Sequence, residues 1–526
     1  MTAPATRPRA SLSPRTVAAL AALVVLAGAL ASLTPDPIGV FWDDGVYLLT
    51  AKALAAGEGF RYAHLPGAPS AIHYPPAFPL LLAALLKVTP EFPANVAVLK
   101  LLNPVCLALA VFGAVRLGER TLGLAVVPTA LAVAISALIA PVLVLGNVLL
   151  SEALFLAVLV GALHVIDAAA ARGGTRRAVS AGLAVAAVTL VRTVGGVLLP
   201  AAVIALWWRR RRREAVLAAV CAVVALVPWQ LFVWRAARGF PDELRGLYGP
   251  YLDWVIAGYR QQPWLAVQVL MKNTGDLWRA LGIIVAPRLP AAVQWSAAAA
   301  LVVVLGAGLV ALARRRSVLV PFLVLYGGVV MVWPYNPERF VWAVWPLAGL
   351  ACVAAVPVLG QWGERWWPHA SPAAASRAAT ALVAVLLAGQ AAYAARGLAQ
   401  GWAGAPQRAM TARLWPLVQW SVTHAGPRDV VASDGHVMIA LYTGRTTMPV
   451  SMLTPAEHLH DKTPSQSVSE LGTLVARYHP QLLVLSRGTP ETDLIAQWAL
   501  TPGAPAVVPL APVPGGGSAF ALRERP

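Results

Sequence analysis

Along most of this chain, apolar residues come in long runs broken by brief polar intervals. From Thr16 to about Gly397 many of the runs approach the roughly 20 residues that a helix needs to cross a bilayer. The pattern predicts membrane helices near 16–33, 76–89, 95–115, 121–136, 138–149, 152–170, 178–191, 194–208, 214–236, 293–313, 317–334, 341–358 and 377–396. That makes about thirteen. Pro128 and Pro141 interrupt the stretch 121–149, which reads as one long kinked helix or as two short passes. Several segments, 194–208 among them, are shorter than a straight crossing and suit broken or re-entrant helices.

Arginines set the direction. Arg172, Arg176 and Arg177, then Arg209 to Arg213, then Arg314 to Arg316 sit at the ends of apolar runs, as in cytoplasmic loops. Arg7, Arg9 and Arg15 precede the first run, which places the N-terminus on the same side. With all of these inside, parity requires two passes between 121 and 149 and puts the C-terminus outside. The first run resembles a signal peptide, with small residues at "AGALAS", but the many spans that follow favour an uncleaved first helix. Three outer pieces result: the loop 34–75, the loop 237–290 rich in Trp, Tyr, Asp and Arg, and a tail. The chain thus divides into a membrane domain, 1–397, and an outer domain, 398–526.

Within the tail, "DVVASD", "TTMPV", "QLLVLS" and "AVVPLAPV" read as short strands, and "HVMIALYTG", "SQSVSELGTLVARY" and "ETDLIAQWAL" as helices between them. This alternation predicts a small α/β layer. It holds no Walker-type or GxGxxG loop, so it is not read as a nucleotide domain.

Composition narrows the class. Of 526 residues 58% are hydrophobic and only 12% charged, where a soluble domain carries roughly 25%. A net charge of +18 would suit nucleic acid, but the arginines gather at span ends, so the charge belongs to membrane topology and no nucleic-acid partner is expected. Cys106, Cys221 and Cys352 each lie inside an apolar run, with neither a disulfide framework nor metal spacing.

Against this background the loop 34–75 stands out. In "FWDDGVYLLTAKALAAGEGF", Asp43 and Asp44 sit side by side before a segment whose Tyr47, Leu48, Ala51, Leu54 and Ala55 share one helical face. That segment predicts a helix in the interface plane with the acids at its N-terminus. Carboxylates cap a helix start favourably, which would explain one acid. Two adjacent acids repel and raise one pKa, which suits a general base. His73 follows in "HYPPAFPLLLAALL", just before Pro75 and Pro76.

Taken in order, the first span, "FWDDGVYLLTAKAL", the "GEGF" turn, "HYPPAFPLLLAALL", "GNVLLSEALFLAVL" and "VTLVRTVGGVLLPAAV" resemble the GT-C glycosyltransferases that use polyprenyl-phosphate sugars. The nearest group is the bacterial relatives of protein O-mannosyltransferase and of the lipid A aminoarabinose transferase. The resemblance implies a polytopic α-helical membrane protein with a small extracytoplasmic α/β domain, working at the outer face of the cytoplasmic membrane. It also implies that Asp43 is the catalytic base, with Asp44 where Glu is commoner in the family. Glu152, in "LLSEALF", matches a second family acid at the outer start of a later helix. Its plainer alternative is a helix-start acid after Ser151.

The implied chemistry is an inverting displacement. A base takes the proton of an acceptor hydroxyl, and cations receive the departing phosphate. Arg339, in "WPYNPERFVWAV", and Arg192 are the candidate phosphate partners. Tyr248, Tyr251 and Trp254 are expected to line a cavity between the two outer loops. Some relatives hold a divalent metal, for which His73 and Glu152 would be the ligands here. The acceptor is a lipid, a glycan or a protein, and the donor comes from membrane lipid. The rival classes are a lipid-linked glycan flippase or transporter, an outer-face ligase or polymerase of whole glycans, and a binding or scaffold protein. Inverted repeats and paired broken helices, expected of a transporter, are not evident.

Overall fold

The computed structural model describes residues 12–487, 490–499 and 507–523. Arg7 and Arg9, and the end positions Leu500 and Ala506 of two predicted tail elements, lie outside them. Every predicted membrane segment is helical, as the hydrocarbon interior requires of a chain that must satisfy its own backbone polar groups.

In chain order the helices are α1 (Pro14–Ala31), α2 (Asp43–Ala55), α3 (Ala77–Val88), α4 (Val96–Arg120), α5 (Val126–Leu138), α6 (Ala140–Asn147), α7 (Glu152–Arg172), α8 (Thr175–Val191), α9 (Thr193–Trp208) and α10 (Arg212–Ala237). They continue with α11 (Tyr251–Gln261), α12 (Leu265–Val285), α13 (Ala291–Arg314), α14 (Leu319–Met331), α15 (Pro337–Trp366) and α16 (Pro372–Ala399). Seven of these, α1, α4, α7, α10, α13, α15 and α16, are long and apolar enough to cross a membrane. Of the α7 window 61% is buried against 11% for α10, so α7 runs through the centre of the bundle and α10 lies on its rim.

Side-chain bonds sort the helix ends into two layers. At one end Arg209 donates to the Arg315 carbonyl at 2.8 Å, Arg316 to the Trp208 carbonyl at 2.9 Å, and Arg314 to Gln361 at 2.9 Å. Arg209 and Arg316 thereby satisfy helix C-terminal carbonyls at the negative end of the helix dipoles. At the other end Lys100, in α4, donates to the carbonyls of Thr34 at 2.8 Å and Asp36 at 2.7 Å, just past α1. The Thr34 amide donates to Asn147 at 3.0 Å, at the end of α6.

Two expectations about crossings are corrected here. The segment 76–89 does not cross: α1 exits and α4 starts at the same end, so α3 leaves and returns on one side. With 12 residues α3 spans roughly 18 Å, short of a hydrocarbon core of about 30 Å. The stretch 121–149 is one broken passage, with α5 and α6 bent by 64° at Ile139. Pro141 enforces the break, since its ring cannot continue the helix of α5. Among the described residues, the seven long helices, the bent pair and the shorter apolar helices α8, α9 and α14 are the candidate crossings. Both corrections remove one passage each, so the two ends of the membrane domain still fall on opposite sides.

After α16 come α17 (Ala405–His424), β1 (Val430–Ser433), α18 (His436–Thr443), β2 (Thr446–Met448), α19 (Pro464–Tyr478), β3 (Leu482–Leu485), α20 (Pro490–Ala499), β4 (Val507–Pro509) and β5 (Ser518–Leu522). The sheet order is β2-β1-β3-β5-β4, parallel from β2 to β3 and antiparallel from β3 to β4. All four predicted strands form; β5, at "SAFAL", was not expected. The tail docks directly on α2. A Cβ on Gly45 would stand 2.4 Å from the Val437 side chain, so only glycine lets α2 and α18 approach this closely.

Candidate active site

At the end of the bundle opposite the arginine layer lies a cavity of about 500 Å³. Asp43, Arg192 and Arg339 supply its charged wall, and Val194, Val197, Val329 and Val330 contribute to its apolar side.

The chain delivers Asp43 on a sharp turn. Trp42 has φ 65° and ψ −61°, and the Asp43 amide donates to the Phe41 carbonyl at 2.7 Å. This is a γ-turn of the strained hand, of the kind that costs about 1–3 kcal/mol and gathers at functional sites. Asp44 holds it. Its Oδ2 accepts from the Gly39 amide at 2.7 Å and its Oδ1 from the Phe41 amide at 3.0 Å. Asp44 is fully buried and does not line the cavity, which leaves Asp43 on its wall and Asp44 bracing the turn.

Arg192 and Arg339 are presented by helix interruptions. The "VRTVGG" stretch ends α8 at Val191, and Arg192 is extended before a short tight turn, Thr193–Val197. Arg339 sits in the first turn of α15, where Pro337 occupies the first position, which lacks an intrahelical partner for its nitrogen anyway.

These parts join in one ionic chain. Arg339 Nη1 donates to Asp43 Oδ2 at 2.6 Å and its Nε to Glu152 Oε1 at 2.6 Å. Arg192 Nη1 reaches the same Oε1 at 2.9 Å and the Ser151 hydroxyl at 3.0 Å, and that hydroxyl pairs with Tyr47 at 3.0 Å. Two carboxylates and two guanidiniums balance, as buried charges must. Glu152 stands behind the arginines and not on the cavity surface. Three polar atoms are buried without a protein partner: Arg339 Nη2, Arg192 Nε and Glu152 Oε2. Burial alone would raise the Asp43 carboxyl, but the Arg339 guanidinium overrides it and holds the carboxyl below its ordinary value.

Aromatic rings complete the wall. His73 packs on Tyr251 with centroids 3.8 Å apart and donates from Nδ1 to the Gly249 carbonyl at 2.6 Å. Its burial pulls the imidazole down to about 4, so the ring is neutral at pH 7. Tyr251 and Trp254 line the cavity as expected, the indole donating to the Leu453 carbonyl at 2.9 Å. Tyr248 does not line it: its ring is fully buried behind Trp42, with centroids 5.1 Å apart. His73 and Glu152 are each engaged by protein partners. His73 spends Nδ1 on a carbonyl and Glu152 faces two cations, and no three His, Cys, Asp or Glu side chains gather as a metal site among the described residues.

Sequence reasoning missed Trp42, Tyr47, Tyr74 and Leu453, all on the cavity wall. Tyr47 had a signal, being four residues after Asp43 and so on the same helical face. Leu453 had none, for it comes from the tail. The tail loop approaches so closely that a Cβ on Gly246 would stand 1.9 Å from the Leu453 carbonyl oxygen, so glycine is required there too.

Neither a family model nor a curated protein matches this sequence. Solved structures do. The crystal structure of ArnT from Cupriavidus metallidurans bound to undecaprenyl phosphate is 16% identical, with 96% of this chain and 97% of that one covered and a TM-score of 0.50. The same protein in the apo state gives a TM-score of 0.52 at the same identity. The Archaeoglobus fulgidus oligosaccharyltransferase, tethered to an acceptor peptide, is 12% identical over 97% of this chain and 74% of its own, with a TM-score of 0.52. At such identities the likeness is one of fold.

Proposed function

We propose, starting from the GT-C fold that the chain shares with these membrane glycosyltransferases, that it moves a sugar from a polyprenyl-phosphate donor to an acceptor hydroxyl at the outer face of the cytoplasmic membrane, with inversion. The observation that carries this reading is one cavity in which a carboxylate, Asp43, meets two partly buried guanidiniums beside an apolar wall. The phosphate would take the unpartnered Arg339 Nη2 and Arg192 Nε, and the prenyl chain the valine-lined side. The acceptor oxygen bonds to the anomeric carbon as its proton passes to Asp43. The carbon–oxygen bond to phosphate breaks, and its electron pair leaves with the phosphate toward the arginines. Arrival of the phosphate gives Arg339 a third anion to bind, beside Asp43 and Glu152. Its hold on Asp43 weakens, and the carboxylate becomes a better base when the donor is in place.

A smaller cavity of about 280 Å³ lies across Phe41 and Trp42 from the first and includes Arg413, Asp434 and Met410 in its wall. It supports approach of the acceptor from the side away from Arg339.

The test is direct. Purified protein given polyprenyl-phosphate sugars extracted from the native membrane should release polyprenyl phosphate and glycosylate an envelope acceptor. Movement of the lipid between leaflets without cleavage would establish a flippase in its place.

A further inference from the structure

Beneath the cavity, three fully buried side chains from three parts of the sequence form one hydrogen-bonded row. His64 belongs to the loop 34–75, Tyr248 to the short helical turn Arg245–Tyr248, and His436 to the first turn of α18 in the tail. His64 Nε2 lies 3.1 Å from the Tyr248 hydroxyl, which lies 2.8 Å from His436 Nε2.

The proton positions follow from the partners. His436 Nδ1 is 3.2 Å from the Ser433 carbonyl, which can only accept, so Nδ1 carries the hydrogen and Nε2 is the acceptor. The single hydroxyl proton of Tyr248 therefore goes to His436, and the hydroxyl oxygen accepts from His64 Nε2. His64 Nδ1 is left as a bare acceptor, and it is indeed buried without a partner. The row has one self-consistent arrangement when both rings are neutral, and burial keeps both neutral, at about 3.

This row is tied to both the catalytic wall and the tail. The His64 carbonyl accepts from the Thr447 amide, in β2, at 2.8 Å. The Tyr248 ring backs Trp42, whose strained turn aims Asp43. The next residue, Gly249, receives the His73 ring, and the Tyr62 hydroxyl receives the His73 amide at 3.1 Å and donates to the Tyr248 carbonyl at 3.4 Å.

We propose that Tyr248 is a positioning residue: held between His64 and His436, its ring fixes Trp42 and His73 and so the direction of Asp43, which makes turnover depend on the docked tail. This rests on the proposed transferase activity, with one readout that does not. Tyr248→Phe keeps the ring against Trp42 and removes only the hydroxyl. In the full-length detergent-solubilised protein, kcat for donor cleavage should fall about 10- to 100-fold, as small misplacements of a reacting group do, with the donor KM within about twofold. His436→Leu should act alike, and the double variant should be no worse than either single one, because one row is broken in each case. Hydrogen exchange at the amides of residues 39–44 should quicken about tenfold in all three variants, with or without activity. Unchanged exchange there together with unchanged turnover per folded molecule, even with a lowered Tm, would reduce the row to interface packing and overturn the proposal. If the unmutated protein cleaves no donor, the exchange experiment still decides it.

Discussion

Replacing Asp44 by Asn separates a brace from a base. Both oxygens of Asp44 accept backbone amides, from Gly39 and Phe41, in a fully buried place. Asn offers one acceptor and turns an NH2 group toward the second amide, leaving a buried donor unsatisfied at about 1–3 kcal/mol. A compensating effect follows from pKa. Burial, with help from the neighbouring Asp43 charge, raises the Asp44 carboxyl to about 6, against the pull of the amides. A carboxyl raised in the folded state keeps its proton longer than the unfolded chain does. The unmutated protein therefore gains stability from this residue as pH falls through 6 toward 3.8, a gain of up to about 3 kcal/mol. Asn does not titrate, so the deficit of Asp44→Asn should be smallest above pH 7 and grow on acidification. Melting temperatures at pH 7.5 and 5.5, read beside polyprenyl-phosphate release per folded molecule, test this. Asp44→Asn should melt lower and, through a loosened turn, lose about tenfold in turnover, far less than removal of the base. Asp43→Asn leaves Arg339 with one carboxylate, so it should also melt lower, and it should lose about 10²–10⁴-fold in turnover. A stable Asp44→Asn protein with collapsed turnover would refute the division of labour between the two acids.

Arg339→Lys keeps the charge but cannot reach Asp43 and Glu152 together, and donor cleavage should drop about 10²–10³-fold; retention of normal turnover would remove Arg339 from the phosphate site. Because Arg339 holds the Asp43 carboxyl low, kcat/KM should show no acid limb from this residue above about pH 4, and a limb near pH 6 would contradict the ion pair. His64, His73 and His436 are held neutral at about 3, 4 and 3, so the unfolded chain takes up protons first as pH falls below 6.5. Their stabilisation is complete above that pH and fades toward pH 4, outweighing the opposite trend of the one Asp44, and the Tm should fall on acidification. Cysteines placed at the exposed positions Ala63 and Ser465 should react in intact cells, once the outer envelope is permeabilised, with a reagent that does not cross the membrane, while one at Thr175 should not; the reverse pattern would invert the topology.

Much of this architecture was legible because lipid imposes a simple rule on sequence. Long apolar runs became helices, and arginines such as Arg209 and Arg316 marked one end of the bundle because helix C-termini favour positive charge. The segment 76–89 misled because composition does not say whether 12 apolar residues cross a bilayer or lie along it; the answer came from Lys100, whose bonds bring the next helix back to the same end. At the site, Asp43, Arg192 and Arg339 were visible as rare charges at the edges of apolar runs. What Asp44 does was not legible from the residues themselves, because a sequence does not tell which of two neighbours turns inward, and helix geometry sends them about 100° apart. Tyr248 shared its aromatic character with Tyr251 and Trp254 but not their position, and β5 hid behind the glycines of "PGGGS".

Leu453 reaches the cavity from a domain that begins beyond α16, more than four hundred positions from Asp43. The tail is therefore not a module that natural recombination can exchange freely. A descendant that acquired a different outer domain would inherit Asp43, Arg192 and Arg339 intact but a differently shaped chamber around them. Under the proposed transferase activity, variation of substrate among proteins built this way should track the loop that carries Leu453 more closely than the charged groups.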